Sequence, residues 1–64
     1  MNSAWIDVHD EPLPNNEMVV GWYHSDYVFV MSMSGVDFYH NGHDWVPLES
    51  SFLTHYLYLP YPPK

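Results

Sequence analysis

Five histidines and eight carboxylates in a chain of 64 residues are the side chains best able to do chemistry. His40, His43 and Asp44 meet around one candidate turn, and His9 lies among Asp7, Asp10 and Glu11. Groupings of this kind can hold a divalent cation or pass a proton, because imidazole titrates near neutrality and is a common metal ligand. Neither has the spacing of a ligand motif, and a histidine pair at a hairpin end is more often solvated surface. No metal or other cofactor is expected. His55 stands in a run otherwise made mostly of Leu and Tyr, where a histidine is expected to be hydrogen-bonded and to fix its strand. Nucleophilic catalysis has less support still. There is no cysteine, no Ser or Thr is placed with a base and an orienting carboxylate, and no glycine-rich phosphate loop occurs. So short a chain leaves little room for a closed active site, and an enzyme is not expected.

Charge points elsewhere. Eight Asp and Glu stand against a single Lys and no Arg, a formal net charge of −7. Direct contact with nucleic-acid phosphates or anionic membrane surfaces is disfavoured, and a protein with a basic surface is the favoured partner. Among the carboxylates, Asp7, Asp10 and Glu11 lie on a proline-bounded segment from which side chains can project, and Asp26, Asp37 and Asp44 lie at or near candidate turns. With Tyr56 and Tyr58 as aromatic anchors, these are the expected partner-binding residues. The competing use of the acidity is solubility. No apolar run approaches the ~18 residues of a membrane span, and the N-terminus lacks a basic-then-apolar signal pattern. Absence of cysteine fits a reducing compartment, so a cytoplasmic location is expected.

Positioning these groups falls to the middle of the chain, residues 17–40. In 18–24, Met18, Val20 and Trp22 alternate with Val19, Gly21 and Tyr23; in 27–33, Tyr27, Phe29, Met31 and Met33 alternate with Val28, Val30 and Ser32. Alternation with so many β-branched and aromatic residues predicts strands rather than helices. Ser25-Asp26 is the expected reversal between them, and Ser34-Gly35 the next, leading to a third strand over 36–40. Asn41-Gly42 predicts a two-residue type I′ loop that would set His40 opposite His43, Tyr39 opposite Asp44 and Phe38 opposite Trp45. Pro47 should end that pairing, and 48–51 should connect, by one helical turn at most, to a last strand over 52–59 that the following prolines stop. At the start, 1–4 should fray, and 5–8 should be a short edge strand or an extended arm. Pro12 and Pro14 keep 11–14 out of helix, and Asn15-Asn16 turns the chain into the centre.

The expected fold is therefore all-β: one domain over 1–64, a small antiparallel sheet of four to five strands built from hairpins. The bulkier face, Val20, Trp22, Phe29, Met31, Phe38, Trp45 and Leu57, is the expected core. A domain this short buries only ~60% of its unfolded surface. With no disulfide to help, its 19% aromatic content must carry the stability. Exposed edges and surplus aromatics predict a homo-oligomer, a dimer first.

Both chain ends resemble a phage and prophage family, the domain of unknown function numbered five hundred and fifty-one. Its members begin with Trp-Ile-x-Val-x-Asp-x-Leu-Pro, and this chain has Trp5-Ile6-Asp7-Val8-His9-Asp10-Glu11-Pro12-Leu13-Pro14, with one additional residue before Leu-Pro. They close with Val-Thr-His-Trp-Met-Pro-Leu-Pro-x-Pro-Pro, and this chain has Leu53-Thr54-His55-Tyr56-Leu57-Tyr58-Leu59-Pro60-Tyr61-Pro62-Pro63. Thr54 and His55 match the pattern, while Tyr56 replaces its Trp and Tyr58 a Pro. The resemblance implies a small phage-encoded accessory protein in a bacterial host, with no catalytic residues attached. The leading expectation is a protein-binding module that inhibits a host nucleic-acid-handling or defence enzyme, of anti-restriction or anti-CRISPR type, by nucleic-acid mimicry in its sharpest form. A self-associating structural protein and a metal-dependent enzyme are the alternatives.

Overall fold

A computed structural model describes residues 5–59. Its strands are β1 (Ile6–Asp7), β2 (Val19–Tyr23), β3 (Asp26–Met33), β4 (Val36–His40), β5 (Trp45–Pro47) and β6 (Leu53–Leu57), with a 3₁₀ turn at Ser50–Phe52. All pair antiparallel in one sheet of order β1-β6-β2-β3-β4-β5. The protein is all-β, as its alternation predicts, with six strands instead of four or five. The two-residue β1 and the three-residue β5 are its edges. No helix among the described residues is long and apolar enough to cross a membrane.

The alternation sorts residues by face as expected, but the buried face is the opposite one. Val19 and Val30 stand directly across from each other with no exposed surface, and Leu13, Tyr23, Leu53 and Tyr56 complete the core. Val20, Trp22, Met31, Phe38, Trp45 and Leu57 are only half-buried, and Phe29 is exposed. The expected core is thus the open face. The reason lies in what covers the sheet. Among the described residues no second sheet or α-helix packs on it; the segments following β1 and β5 do, over a face that combines Gly21, Val19 and Val30 with the rings of Tyr23 and Tyr56. Gly21 makes room within that face for side chains of β6 and β3, since a Cβ there would lie 2.9 Å from both Leu53 Cδ1 and Val30 Cγ2.

Two buried tyrosines tie these covers down. The Tyr56 hydroxyl donates to the Pro12 carbonyl (3.1 Å), and the Tyr23 hydroxyl accepts from the Glu49 N–H (2.8 Å). Beyond the Asn15–Ser32 bridge and the bond from the Leu48 N–H to the Asp37 carbonyl, these segments run outside the ladders, so each tyrosine bond satisfies a group that would otherwise be costly to bury. Burial pushes the Tyr56 phenol up to about 12, with Tyr58 and Glu11 adding to the rise. The stability this gives is complete below the unfolded-chain value near 10 and is lost as pH climbs towards 12.

The connections deviate from expectation in instructive ways. The first reversal falls on His24-Ser25, both at positive φ (51° and 59°), one residue earlier than expected, and pairs Tyr23 with Asp26. Ser34-Gly35 turns as expected, at φ 52° and 81°. Asn41-Gly42 begins a loop that runs to Asp44. The Asn41 side-chain oxygen accepts from the N–H groups of both His43 (2.8 Å) and Asp44 (2.9 Å), and this closure outcompetes the tighter turn. His40 therefore pairs with Trp45 and Phe38 with Pro47, so the expected Phe38–Trp45 pair does not form. In β6 the register slips between Trp22/Tyr23: His55 faces Trp22 while Leu53 faces Tyr23, leaving Thr54 as the additional residue of a bulge. That one residue lets Leu53 and Tyr56 reach the same core. The expected frayed 1–4 and the stop at Pro60, Pro62 and Pro63 lie outside the described residues.

Urea denaturation tests the inverted core. Tyr56→Ala should cost roughly 3–5 kcal/mol and Gly21→Ala about 1–3 kcal/mol, whereas Trp22→Ala should cost only about 1 kcal/mol. Equal losses for Trp22→Ala and Tyr56→Ala would put the core back on the bulky face.

Candidate functional site

Cross-strand partners share a face, so the registers define one row across the sheet: Asp7 opposite His55, His55 opposite Trp22, Trp22 opposite Tyr27. Trp5, just before β1, lies over this row. Its ring is near-parallel to Tyr27 (23°, centroids 6.0 Å apart) and edge-on to Trp22 (73°, 6.3 Å), and Trp22 is edge-on to Tyr27 (75°, 5.0 Å). Beside them is an open depression of about 420 Å³ lined by Trp5, Trp22, Tyr27 and His55. A second depression, of about 360 Å³, continues the same face past Tyr27 and Phe29 to His40. Further along, Val36, exposed, and Phe38, half-buried, extend it. Sequence reasoning placed Trp22, Phe29 and Phe38 of this face inside; the signal against that was the smaller side chains of the other face, with Gly21 and Ser32 in it.

The carboxylates divide by position. In an antiparallel meander alternate connections lie at the same end, so Asp26 at the β2–β3 turn and Asp44 in the β4–β5 loop share one end of the sheet. Asp7, in the row that ends at Tyr27, lies towards that end. Asp10 and Glu11 are exposed on the turn after β1, where their N–H groups both donate to the Asp7 carbonyl (3.0 Å each). Asp37, next to the β3–β4 turn, belongs to the opposite end and to the covered face, opposite Ser32. The expected residues therefore do not form one rim. Tyr56 is withdrawn from the partner-binding set altogether, since it has no exposed surface and fills the core. Tyr58 is exposed, edge-on to Tyr56 with centroids 5.8 Å apart, away from the open face.

The two histidine clusters resolve differently. His40 Nδ1 accepts from the Gly42 N–H (3.1 Å) and the His40 ring stands edge-on to Trp45, so the first cluster is spent on shaping its loop. In the second, Asp7 Oδ1 accepts from the His9 N–H (2.8 Å) and lies 3.1 Å from His9 Nδ1. Asp7 Oδ2 lies 3.9 Å from His55 Nε2, so His55 has a carboxylate beside it rather than a close hydrogen bond. No group of three or more His, Cys, Asp or Glu suited to a metal ion occurs among the described residues. The His9 backbone bond first, and its imidazole second, hold the Asp7 carboxyl below its ordinary value.

Set against known proteins, the chain matches no family model, and no curated protein or solved structure is similar to it. The phage resemblance therefore rests on the two end motifs, and function must be argued from the face itself.

A carboxyl-detected NMR titration checks the electrostatics. The Asp7 midpoint should lie below 3.8. His9→Ala removes the imidazole but keeps the backbone N–H, so the midpoint should climb only part of the way back. The stability Asp7 contributes is present above the unfolded-chain value and lost as pH falls through the folded one. A parent midpoint at or above the ordinary value would contradict the Asp7–His9 geometry.

Proposed function

We propose that this chain is a small acidic protein-binding module, not an enzyme, that lays its open sheet face on a basic surface of a host or bacterial protein. One observation carries the reading: among the described residues the covering segments lie on the other side of the sheet, and the face bearing Trp22, Tyr27, Phe29, Phe38 and Trp45 keeps Tyr27 and Phe29 exposed. Contiguous apolar surface on a small protein marks an interaction site, and aromatic anchors dominate the energy of such contacts. The net charge of −7 selects a basic partner and speeds encounter with it. The resemblance of the chain ends to a phage family supplies the specific form: inhibition, in the host cytoplasm, of a nucleic-acid-handling or defence enzyme of the restriction or CRISPR kind. Nucleic-acid mimicry is the narrower version, and Asp7, Asp26 and Asp44 are its best-placed carboxylates.

Self-association is favoured by the same open face rather than by the edges. β1 offers two residues for pairing and β5 three, the last of them Pro47, which has no N–H to give. A face-to-face dimer would have to bring two chains of charge −7 together, so a basic partner fits better.

Affinity capture from a bacterial host, followed by kinetics on the captured protein, tests the reading. Tyr27→Ser with Phe29→Ser alters two exposed side chains and should weaken binding on the order of tenfold or more while the protein stays folded. Replacing Asp7, Asp26 and Asp44 by Asn should chiefly lower the on-rate, and added salt should do the same to the parent. Capture indifferent to Tyr27 and Phe29 would contradict the proposal, and a dimer in sedimentation that the double variant abolishes would transfer the face to self-association.

A further inference from the structure

We infer that the corner built by Trp5, Trp22 and Tyr27 receives the ammonium group of a lysine side chain on the basic partner. The inference rests on the binding-module reading and names the contact at its centre. An aromatic ring carries a negative face, and a cation within ~6 Å of the ring centroid is attracted to it. Here the rings are held in two orientations, since Trp22 is turned 73° and 75° from a near-parallel pair. A flat guanidinium gains most from stacking on one ring, whereas a tetrahedral ammonium can touch rings that meet at an angle. The corner gives onto an open depression with His55 as its other wall, so the site can be entered from outside.

Charge supports the same occupant. Asp7 lies on this face, opposite His55 in the β1–β6 pair, and Asp26 immediately precedes Tyr27. Asp44 sits in the loop at the same end of the sheet. The described residues contain neither Lys nor Arg, so no cationic side chain among them can occupy the corner. An uncharged apolar side chain would gain the ring contacts but nothing from the carboxylates. A second copy of the chain would present, from its described residues, no Lys or Arg to meet those carboxylates.

The test titrates the full chain with four pentapeptides, Gly-Gly-X-Gly-Gly, where X is lysine, arginine, trimethyl-lysine, or the neutral analogue with a tert-butyl carbon in place of the trimethylammonium. The trimethyl peptide should bind about threefold or more tightly than its neutral analogue, and its methyl protons should shift upfield from the ring currents. Tyr27→Leu, at a position 65% exposed, keeps the fold and an apolar surface; it should shrink both the ratio and the shift. Trp22→Leu should do the same. Equal binding of charged and neutral peptides, or full retention of the ratio in both variants, would overturn the inference, as would tighter binding of the arginine peptide than the lysine peptide. If no peptide binds yet partner capture still depends on Tyr27 and Phe29, the ammonium site falls and the binding module stands. If the corner takes the ammonium but capture ignores the face, the reverse holds.

Discussion

The hydroxyls of Tyr23 and Tyr56 are the points on which the architecture depends. Each phenol ring fills the covered side of the sheet, and each hydroxyl pins an irregular segment over it, Tyr56 through the Pro12 carbonyl and Tyr23 through the Glu49 N–H. A single six-stranded sheet of this length cannot close its own core. It needs a cover, and a cover without helix or strand survives only if its backbone groups find partners. Among the described residues no buried side-chain nitrogen or oxygen lacks one. Once those two bonds have committed the irregular segments to one face, only Trp5 among the described residues outside the strands is seen laid against the other. The open aromatic face follows from how the small core is built.

Much of this is legible in the sequence. Period-two alternation assigns each central residue to its face, the Ser34-Gly35 reversal is where small, turn-prone residues place it, and Trp5-Ile6-Asp7 joins an edge. What alternation cannot supply is which face goes inside, because that depends on the shape of the covering layer. Bulk argued for Trp22, Phe29 and Phe38; the buried face is instead the one where Leu53 and Val30 close over Gly21 beside Val19 and Tyr23. The bulge at Thr54 was equally hidden, since strict alternation never brings Leu53 and Tyr56 to one side. The Asn41 side chain, closing its own loop, goes with a β4–β5 register two residues from the one that the Asn-Gly pair alone signalled.

The candidate site was legible in its materials but not in its arrangement. Asp7, Asp26 and Asp44 were singled out for their charge, and the topology draws them towards one end. Asp10 and Glu11 sit on a turn beyond the edge strand, and Asp37 goes to the other end. The three-ring corner joins residues far apart in sequence, Trp5 from before β1 with Trp22 and Tyr27 across the β2–β3 hairpin. It became visible only when the β1–β6–β2 order placed the chain start beside the centre. The same order sets a carboxylate next to aromatic faces, the combination on which recognition of a cation is argued.

Hydroxyl-radical footprinting read residue by residue in the mass spectrometer tests the sidedness of the sheet most directly. At a protein concentration low enough to exclude association, Trp22, Tyr27, Phe29 and Trp45 should be oxidised readily, while Tyr23 and Tyr56 are protected until the chain is unfolded. Protection of Trp22, Phe29 and Trp45 together with ready oxidation of Tyr56 would mean that the bulky face is the core, and the open recognition surface would not exist.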